Sequence, residues 1–128
     1  MSPRARVLII DRSRESRDVL RSLLVRRGAE VVEAREHDQG ADLAARTRPD
    51  LIVVDSDQQL ADRPHCAARL AAAAARNDVP IVVLGTVRRC ASPLPTDQFV
   101  AKPYHYGALI RRIEELLKSP SPPKGEVR

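Results

Sequence analysis

Short apolar runs alternate along this chain with longer segments in which apolar and polar residues recur at helical spacing. The apolar runs are rich in Val and Ile and are only four or five residues long. Continuous apolar runs of this length are typical of parallel strands that are covered on both faces. They predict strands over 6–10, 30–34, 51–54 and 81–84, and a weaker run predicts a fifth strand over 98–101.

The segments between these runs carry helical patterns. Ser13 is a predicted N-cap, and Gly28 is the expected stop of the first helix. Further helices are predicted over 38–46, 67–76 and 105–118. The buried stripe of the first helix is predicted to comprise Val19, Leu20, Leu23 and Leu24. Strands that alternate with helices predict a parallel sheet with right-handed crossovers.

Length and composition are those of one ordinary globular domain. The chain has 128 residues, of which 43% are hydrophobic and 30% charged. We expect a single domain over 1–118, followed over 119–128 by a Pro-rich disordered tail or the start of a linker. No apolar run approaches the roughly 18 residues of a membrane helix, and no signal peptide is evident, so a cytoplasmic protein without a membrane partner is expected. Cys66 and Cys90 are expected to be reduced thiols.

The charge distribution does not favour direct binding of nucleic acid. The net charge is +5 and Arg dominates the basic residues, but these Arg residues are scattered rather than grouped in one basic arm. The only aromatics, Phe99, Tyr104 and Tyr106, make a poor stacking platform for single strands. Solvated helix faces are the favoured interpretation, and a basic partner-binding face stays open.

Polar residues with useful chemistry stand where the predicted strands end. They are Asp11, Asp55, Gly85 with Thr86, and Lys102. In an open parallel sheet, ligands bind beyond the carboxyl ends of the strands. Carboxylate oxygens are suitable ligands for Mg²⁺, and a lysine can pair with a phosphoryl oxygen. His37, His65 and His105 share no metal-ligand spacing and are predicted to be surface residues.

Four motifs in register make the chain resemble a response-regulator receiver domain. They are VLIID, PDLIVVD, VPIVVLGT and FVAKP, in that order, and the match covers about residues 5–118. The resemblance implies a flavodoxin-like, doubly wound, five-stranded parallel sheet of order 2-1-3-4-5. It also implies a non-enzymatic signalling module in a two-component phosphorelay. Its expected partner is a histidine kinase or another signalling protein, and a homodimer is a further candidate.

The resemblance also assigns roles to individual residues. Asp55 is implied to be the phosphoacceptor and Lys102 the residue that contacts the phosphoryl group. Asp11, Asp55 and the main-chain carbonyl of Asp57 are implied to be metal ligands. Three further residues have implied roles. Thr86 lies one residue after the position of the family's conserved hydroxyl residue, and Phe99 matches the position of a switch aromatic. The peptide bond before Pro103 is expected to be cis.

Several departures from the family pattern change what is expected. Arg12 stands where the second acidic residue should be, and Gly85 stands at the Ser/Thr position. The 13 residues of 85–97 barely suffice for a parallel crossover. Because Pro93 and Pro95 would break a helix there, the fourth helix should be short or missing.

Arg12 is the most informative departure, because a guanidinium stays charged and cannot ligate a metal. We therefore expect weak Mg²⁺ binding, an Arg12 salt bridge that locks the site, and slow or absent phosphorylation. A phosphorylation-independent pseudo-receiver that acts as a protein-interaction module is the main alternative. Two remote alternatives are an aspartyl-nucleophile phosphatase, suggested by DSD at 55–57, and a nucleic-acid binder.

Overall fold

The computed structural model describes residues 4–55, 64–86 and 99–118, with the backbone alone for 64–67. Strands and helices alternate in these residues from the first strand to the fourth, and a fifth strand and a fourth helix follow. The strands are β1 (Arg6–Ile10), β2 (Glu30–Ala34), β3 (Leu51–Asp55), β4 (Ile81–Gly85) and β5 (Phe99–Ala101). The helices are α1 (Arg14–Arg26), α2 (His37–Thr47), α3 (Pro64–Arg76) and α4 (Tyr106–Lys118). The prediction of a short or missing helix between β4 and β5 falls on residues outside this description, as does the predicted tail.

The five strands form one parallel sheet in the order β2-β1-β3-β4-β5, which confirms the predicted topology. Its register aligns the ends of the strands. Ile10 lies opposite both Ala34 and Val54, and Gly85 lies opposite Ala101. The residues that follow these positions therefore emerge at one edge of the sheet, which we call the carboxyl edge.

Alternate residues of each strand feed two separate apolar cores, one on each face of the sheet. The face covered by α2 and α3 buries Leu8, Ile10, Ile52, Val54, Leu70 and Val83. The face covered by α1 and α4 buries Val7, Ile9, Leu20, Leu24, Val53, Leu109, Ile110 and Ile113. Burial on both faces explains why the central strands are continuous apolar runs in sequence. None of the helices in the described ranges is long and apolar enough to cross a membrane.

The first helix begins and ends as predicted, but its buried stripe is narrower. The Ser13 hydroxyl accepts a hydrogen bond from the Ser16 backbone N–H at 3.2 Å, and Gly28 has a φ of 90° just beyond the helix. Leu20 and Leu24 are buried, whereas Val19 is 39% exposed. The prediction that Val19 belongs to the core is therefore wrong, because a rotation of about 100° per residue places it at the margin of the stripe.

A glycine lets α2 approach the sheet closely at the carboxyl edge. A Cβ atom at Gly40 would lie 2.7 Å from Cγ1 of Ile10, a distance that real side chains do not tolerate. Ile10 is the last residue of β1 and directly precedes Asp11. The small residue therefore brings the first turn of α2, which begins at His37, against the ends of the central strands.

Candidate functional site

A buried carboxylate and a lysine form the centre of the carboxyl edge. Asp55 is the last residue of β3 and is only 3% exposed. The Nζ atom of Lys102 lies 2.9 Å from its Oδ2 atom. The Lys102 backbone N–H donates to the carbonyl of Gly85 at 2.9 Å, which ties the end of β5 to the end of β4. The Lys102–Pro103 bond is cis, as the family resemblance implied.

A second carboxylate, that of Asp11, lies beside the first. Asp11 follows β1 and is 4% exposed. Its backbone N–H donates to the carbonyl of Ala34 at 3.1 Å, and its Oδ1 accepts from the N–H of Ser13 at 2.8 Å. The short turn so formed presents Ser13 as the cap of α1. Asp11 therefore organises the start of α1 and also brings a carboxylate to the site.

The surroundings of Asp11, including Asp55, shift its ionisation. Burial raises the pKa of Asp11 above its ordinary value, because desolvation penalises the charged form. The Ser13 N–H and the Lys102 ammonium lower it, while the charge of Asp55 and a hydrogen bond between the two carboxyl groups raise it. Two carboxyl groups and the Lys102 ammonium group thus lie together at the site.

The guanidinium of Arg12 pairs with a carboxylate of the loop after β2. Its Nη2 atom lies 3.7 Å from Oε1 of Glu36, and the Arg12 side chain is 42% exposed. The predicted Arg12 salt bridge that locks the site stays a prediction. Lys102 pairs with Asp55. The Arg12–Glu36 pair links the loop after β1 to the loop after β2 at the rim of the site.

His37 is a site residue that sequence analysis placed wrongly on the surface. It is only 8% exposed, and its Nε2 lies 3.3 Å from the backbone carbonyl oxygen of Asp55. With the proton on Nε2, the ring donates to that oxygen. Burial lowers the pKa of His37, although the neighbouring Asp55 carbonyl and carboxylate oppose this shift. The place of His37 just before a predicted helix could have indicated a site residue, because helices begin at the carboxyl edge. The close approach of the helix at Gly40, which brings His37 to the strand ends, was not visible in the sequence.

The other two histidines were also predicted to be surface residues. His105 is exposed as predicted, and the side chain of His65 lies outside the described residues.

Tyr104 and Tyr106 pack edge to face, with ring centroids 5.4 Å apart. Burial raises the pKa of Tyr104 well above its ordinary range, and the charges of Asp11 and Asp55 add to this effect. Tyr104 was not predicted as a site residue, although its place two residues after Lys102 could have suggested it.

The remaining predicted site residues divide into three groups. Gly85 is buried and contributes its carbonyl to Lys102, while Thr86 is exposed directly after β4. Phe99 is partly buried and packs against the core beneath α2 and α3. Asp57 lies outside the described residues, so its predicted carbonyl ligand stays a prediction.

Asp11 and Asp55 are the predicted metal ligands that the structure describes, and each has a carboxylate oxygen engaged in a hydrogen bond. The Ser13 N–H already occupies Oδ1 of Asp11, and Lys102 occupies Oδ2 of Asp55. Arg12 adds a fixed positive charge at the rim where a third carboxylate would strengthen binding. Within the described ranges, no group of three or more His, Cys, Asp or Glu side chains could hold a metal ion. The described residues at this edge present a buried carboxylate with an ammonium group in contact with it.

Curated relatives match nearly the whole chain. Response regulator MprA of Mycobacterium sp. strain KMS is 31% identical over 126 residues, which cover 94% of this chain and 54% of that protein. MprA of Mycolicibacterium vanbaalenii is 30% identical over 126 residues, with 94% and 53% covered. The chain therefore spans about half the length of the curated relatives it matches. No family model matches the sequence.

Solved structures share the fold at lower sequence identity. A CheY-like receiver domain protein from Methanospirillum hungatei JF-1 superposes with a TM-score of 0.74 at 18% identity, covering 91% of this chain and 95% of that one. Chemotaxis protein CheY4 of Vibrio cholerae gives 0.73 at 20% identity, covering 89% and 99%. The receiver domain of the hybrid histidine kinase CckA gives 0.67 at 23% identity, covering 88% and 99%.

Proposed function

The chain belongs to the response-regulator receiver domains of two-component signalling, and from this premise we propose that Asp55 is its phosphoacceptor. The observation that carries the proposal is the 2.9 Å contact between Lys102 Nζ and Asp55 Oδ2, beside the buried carboxylate of Asp11. A histidine kinase or another cytoplasmic signalling protein is the proposed source of the phosphoryl group. In this role the domain accepts a group on its own side chain and is not an enzyme that turns over a separate substrate.

Each described residue of the site has a distinct part in the proposed reaction. The Asp55 carboxylate attacks phosphorus, and the Lys102 ammonium moves with the charge onto a phosphoryl oxygen, where a charge-assisted hydrogen bond is strong. Asp11 keeps the local field negative, which favours retention of positive charge at the site. His37 holds the Asp55 carbonyl and so restrains the strand end that carries the nucleophile.

We further propose that Mg²⁺ binds only weakly at Asp11 and Asp55, so that the metal-assisted reaction of the family is impaired. This proposal is supported by the guanidinium of Arg12 at the rim and by the hydrogen bonds that already engage both carboxylates. The replacement of a hydroxyl residue by Gly85 removes another group that could have contacted the phosphoryl oxygens.

Intact-mass spectrometry tests the assignment of the acceptor. The protein is treated with acetyl phosphate, with Mg²⁺ and separately with a chelator, and the mass increase of one phosphoryl group is followed. Asp55→Asn should abolish the increase, whereas the matched control Asp50→Asn, at the other end of the same strand, should retain it. Labelling that survives in Asp55→Asn would contradict the assignment.

A phosphorylation-independent interaction module is the second candidate function. Two observations favour this function. Lys102 already pairs with Asp55, and Arg12 stands where the family has an acidic residue. In that case neither acetyl phosphate nor a kinase would label the wild-type protein, and Arg12→Asp would not restore labelling. A partner would then bind with equal affinity to wild type and to Asp55→Asn, as measured by calorimetry.

A further inference from the structure

We propose that a cavity at the amino ends of the strands binds a small zwitterionic ligand with an aliphatic portion, the chemistry of an aliphatic amino acid or of a short peptide with free termini. We call this end of the sheet, formed by residues 48–50 and 77–80, the amino edge. Arg48 and Asp78 are the proposed anchors of the two charged groups of the ligand. The inference goes beyond the proposed phosphorylation of Asp55 and does not depend on it.

The cavity lies where the segments before two neighbouring strands run side by side. Ile52 of β3 pairs with Ile81 of β4, and the Ile52 N–H donates to the carbonyl of Pro80 at 3.0 Å. Residues 48–50, which precede β3, therefore lie next to residues 77–80, which precede β4, and both segments line the cavity. Its volume of about 560 Å³ falls in the range of about 300–1,000 Å³ that is usual for small-molecule sites.

Part of the lining is apolar. Leu116 and Leu117, in the last turn of α4, are partly buried against the core beneath α1 and α4 and also line the cavity. Val79 and Pro80 of the segment before β4 are partly buried as well. These side chains offer an aliphatic group a surface on which contact removes apolar area from water, which favours binding.

Two opposite charges line the same cavity without pairing. Arg48 and Asp78 are both exposed. Within the part of the chain that the structure describes, neither side chain has a hydrogen bond or an ion pair, with each other or with another residue. Asp50 lines the cavity too, but its Oδ2 accepts the Arg6 backbone N–H at 2.8 Å. Arg48 and Asp78 therefore keep their full bonding capacity for a ligand.

The backbone at these two residues is the second observation. Arg48 has a φ of 50° and Asp78 a φ of 53°, and in the described ranges they are the non-glycine residues with a left-handed φ. Each follows a helix, where glycine adopts this conformation without steric cost. Side chains held in this region at a conformational cost are typical of ligand sites. Both costs occur here at charged residues that line one cavity.

The lining favours a ligand that carries both charges. The Arg48 guanidinium can hold a carboxylate through two parallel hydrogen bonds, and the Asp78 carboxylate can accept from an ammonium group. A simple anion would be repelled by Asp78 and Asp50, and a simple cation would be repelled by Arg48. An aliphatic group of the same ligand would cover Leu116 and Leu117.

The test is a titration of the isotope-labelled full chain, followed by heteronuclear NMR. The probes are leucine, leucyl-leucine, the carboxamide of leucyl-leucine, its N-acetyl form and the doubly blocked form. We expect leucyl-leucine to shift the amide signals of residues 48–50, 77–80 and 116–117. Each blocked terminus should weaken binding by about 10-fold, the usual effect of losing one hydrogen bond to a charged group.

Three variants assign the anchors. In Arg48→Gln, leucyl-leucine and its carboxamide should bind equally, and in Asp78→Asn, leucyl-leucine and its N-acetyl form should bind equally. Arg46→Gln is the matched control, because Arg46 is exposed in the last turn of α2 but does not line the cavity. It should discriminate among the probes as wild type does.

The outcomes separate the two sources of the ligand and can overturn the proposal. Tighter binding of leucyl-leucine than of leucine identifies a peptide, and the reverse identifies a free amino acid. The proposal is wrong if no probe shifts the amino edge at millimolar concentration, or if the doubly blocked probe binds wild type as tightly as leucyl-leucine. The second comparison uses wild type alone, so it holds even if a variant fails to fold. Asp55→Asn should bind leucyl-leucine like wild type, whether or not Asp55 is the phosphoacceptor.

Discussion

The two ends of β3 carry the same residue type in opposite environments. Asp50 directly precedes the strand, is exposed, and accepts a hydrogen bond from the Arg6 backbone N–H at 2.8 Å. Asp55 ends the strand, is 3% exposed, and has its carboxylate paired with Lys102. Four residues, 51–54, thus separate a solvated carboxylate from a buried one.

The surroundings of the two ends differ in the same way. Around Asp50 the sheet edge opens into a cavity of about 560 Å³, lined in part by Asp78, Val79 and Pro80. At the carboxyl edge, by contrast, Asp11 and His37 are both buried next to Asp55. Burying an ionisable group costs free energy of folding, so such groups are typical of functional sites rather than of residues that only stabilise the fold. The burial of ionisable groups at the carboxyl edge therefore supports the proposal that this edge is the functional one for phosphorylation, and variants at each edge can test the difference.

The largest expected effect comes from filling the space at Gly40. Gly40→Ala places a methyl group against Ile10 at the carboxyl edge, where the Ile10 side chain leaves no room for it. Overpacking of a tight core destabilises by about 2 kcal/mol, partly offset by the better helix propensity of Ala. Urea denaturation followed by circular dichroism measures this loss, since the chain has no Trp for fluorescence.

Gly107→Ala is the control for this variant. Gly107 lies in the first turn of α4, and a Cβ atom there would meet nothing within 4 Å. It should stabilise the protein by about 0.5 kcal/mol through helix propensity and reduced chain entropy. Equal effects of the two substitutions would show that α2 does not pack tightly at the site.

Sequence patterning predicted the fold well because burial on both faces leaves a strong signal. The runs of β1 and β2 have the predicted bounds, and β3 and β4 each extend one residue further. Those two additional residues, Asp55 and Gly85, are polar or small, so apolar patterning alone could not include them. Hydrophobic periodicity thus identifies the strands but not the chemistry at their ends.

The site was predicted less completely, because side-chain direction depends on packing. The convergence of Asp11, Asp55 and Lys102 followed from strand order alone, since parallel strands end at one edge. The burial of His37 depends on the close approach at Gly40, and Arg12 forms an ion pair with Glu36. Both contacts join separate loops, and neither leaves a local pattern in the sequence.

A smaller effect is expected from removing the charge of Asp11. In Asp11→Asn, the amide oxygen can still accept from the Ser13 N–H, while the buried charge beside Asp55 is lost. We expect the free energy of unfolding at pH 7 to rise by about 1 kcal/mol, as is common when an unfavourable site residue is replaced. Asp50→Asn, at the exposed edge, should change it by less than about 0.5 kcal/mol.

The size of this stabilisation depends on pH. Because the folded state raises the pKa of Asp11 above 3.8, it binds more protons than the unfolded state just above that pH, and the free energy of unfolding falls as pH rises. The gain in Asp11→Asn should therefore vanish below pH 3.8. A destabilised Asp11→Asn at pH 7 would mean that capping of α1 outweighs the buried charge.

The smallest expected effect concerns His37. Burial lowers its pKa below the ordinary 6.5, so the unfolded state binds more protons than the folded state between the two values. The free energy of unfolding should therefore fall as pH decreases from 6.5 through the folded pKa. His37→Gln keeps a donor for the Asp55 carbonyl but does not titrate, so its melting temperature should depend less on pH in this window. A His37→Gln profile parallel to wild type would remove His37 from the buried groups that distinguish the carboxyl edge.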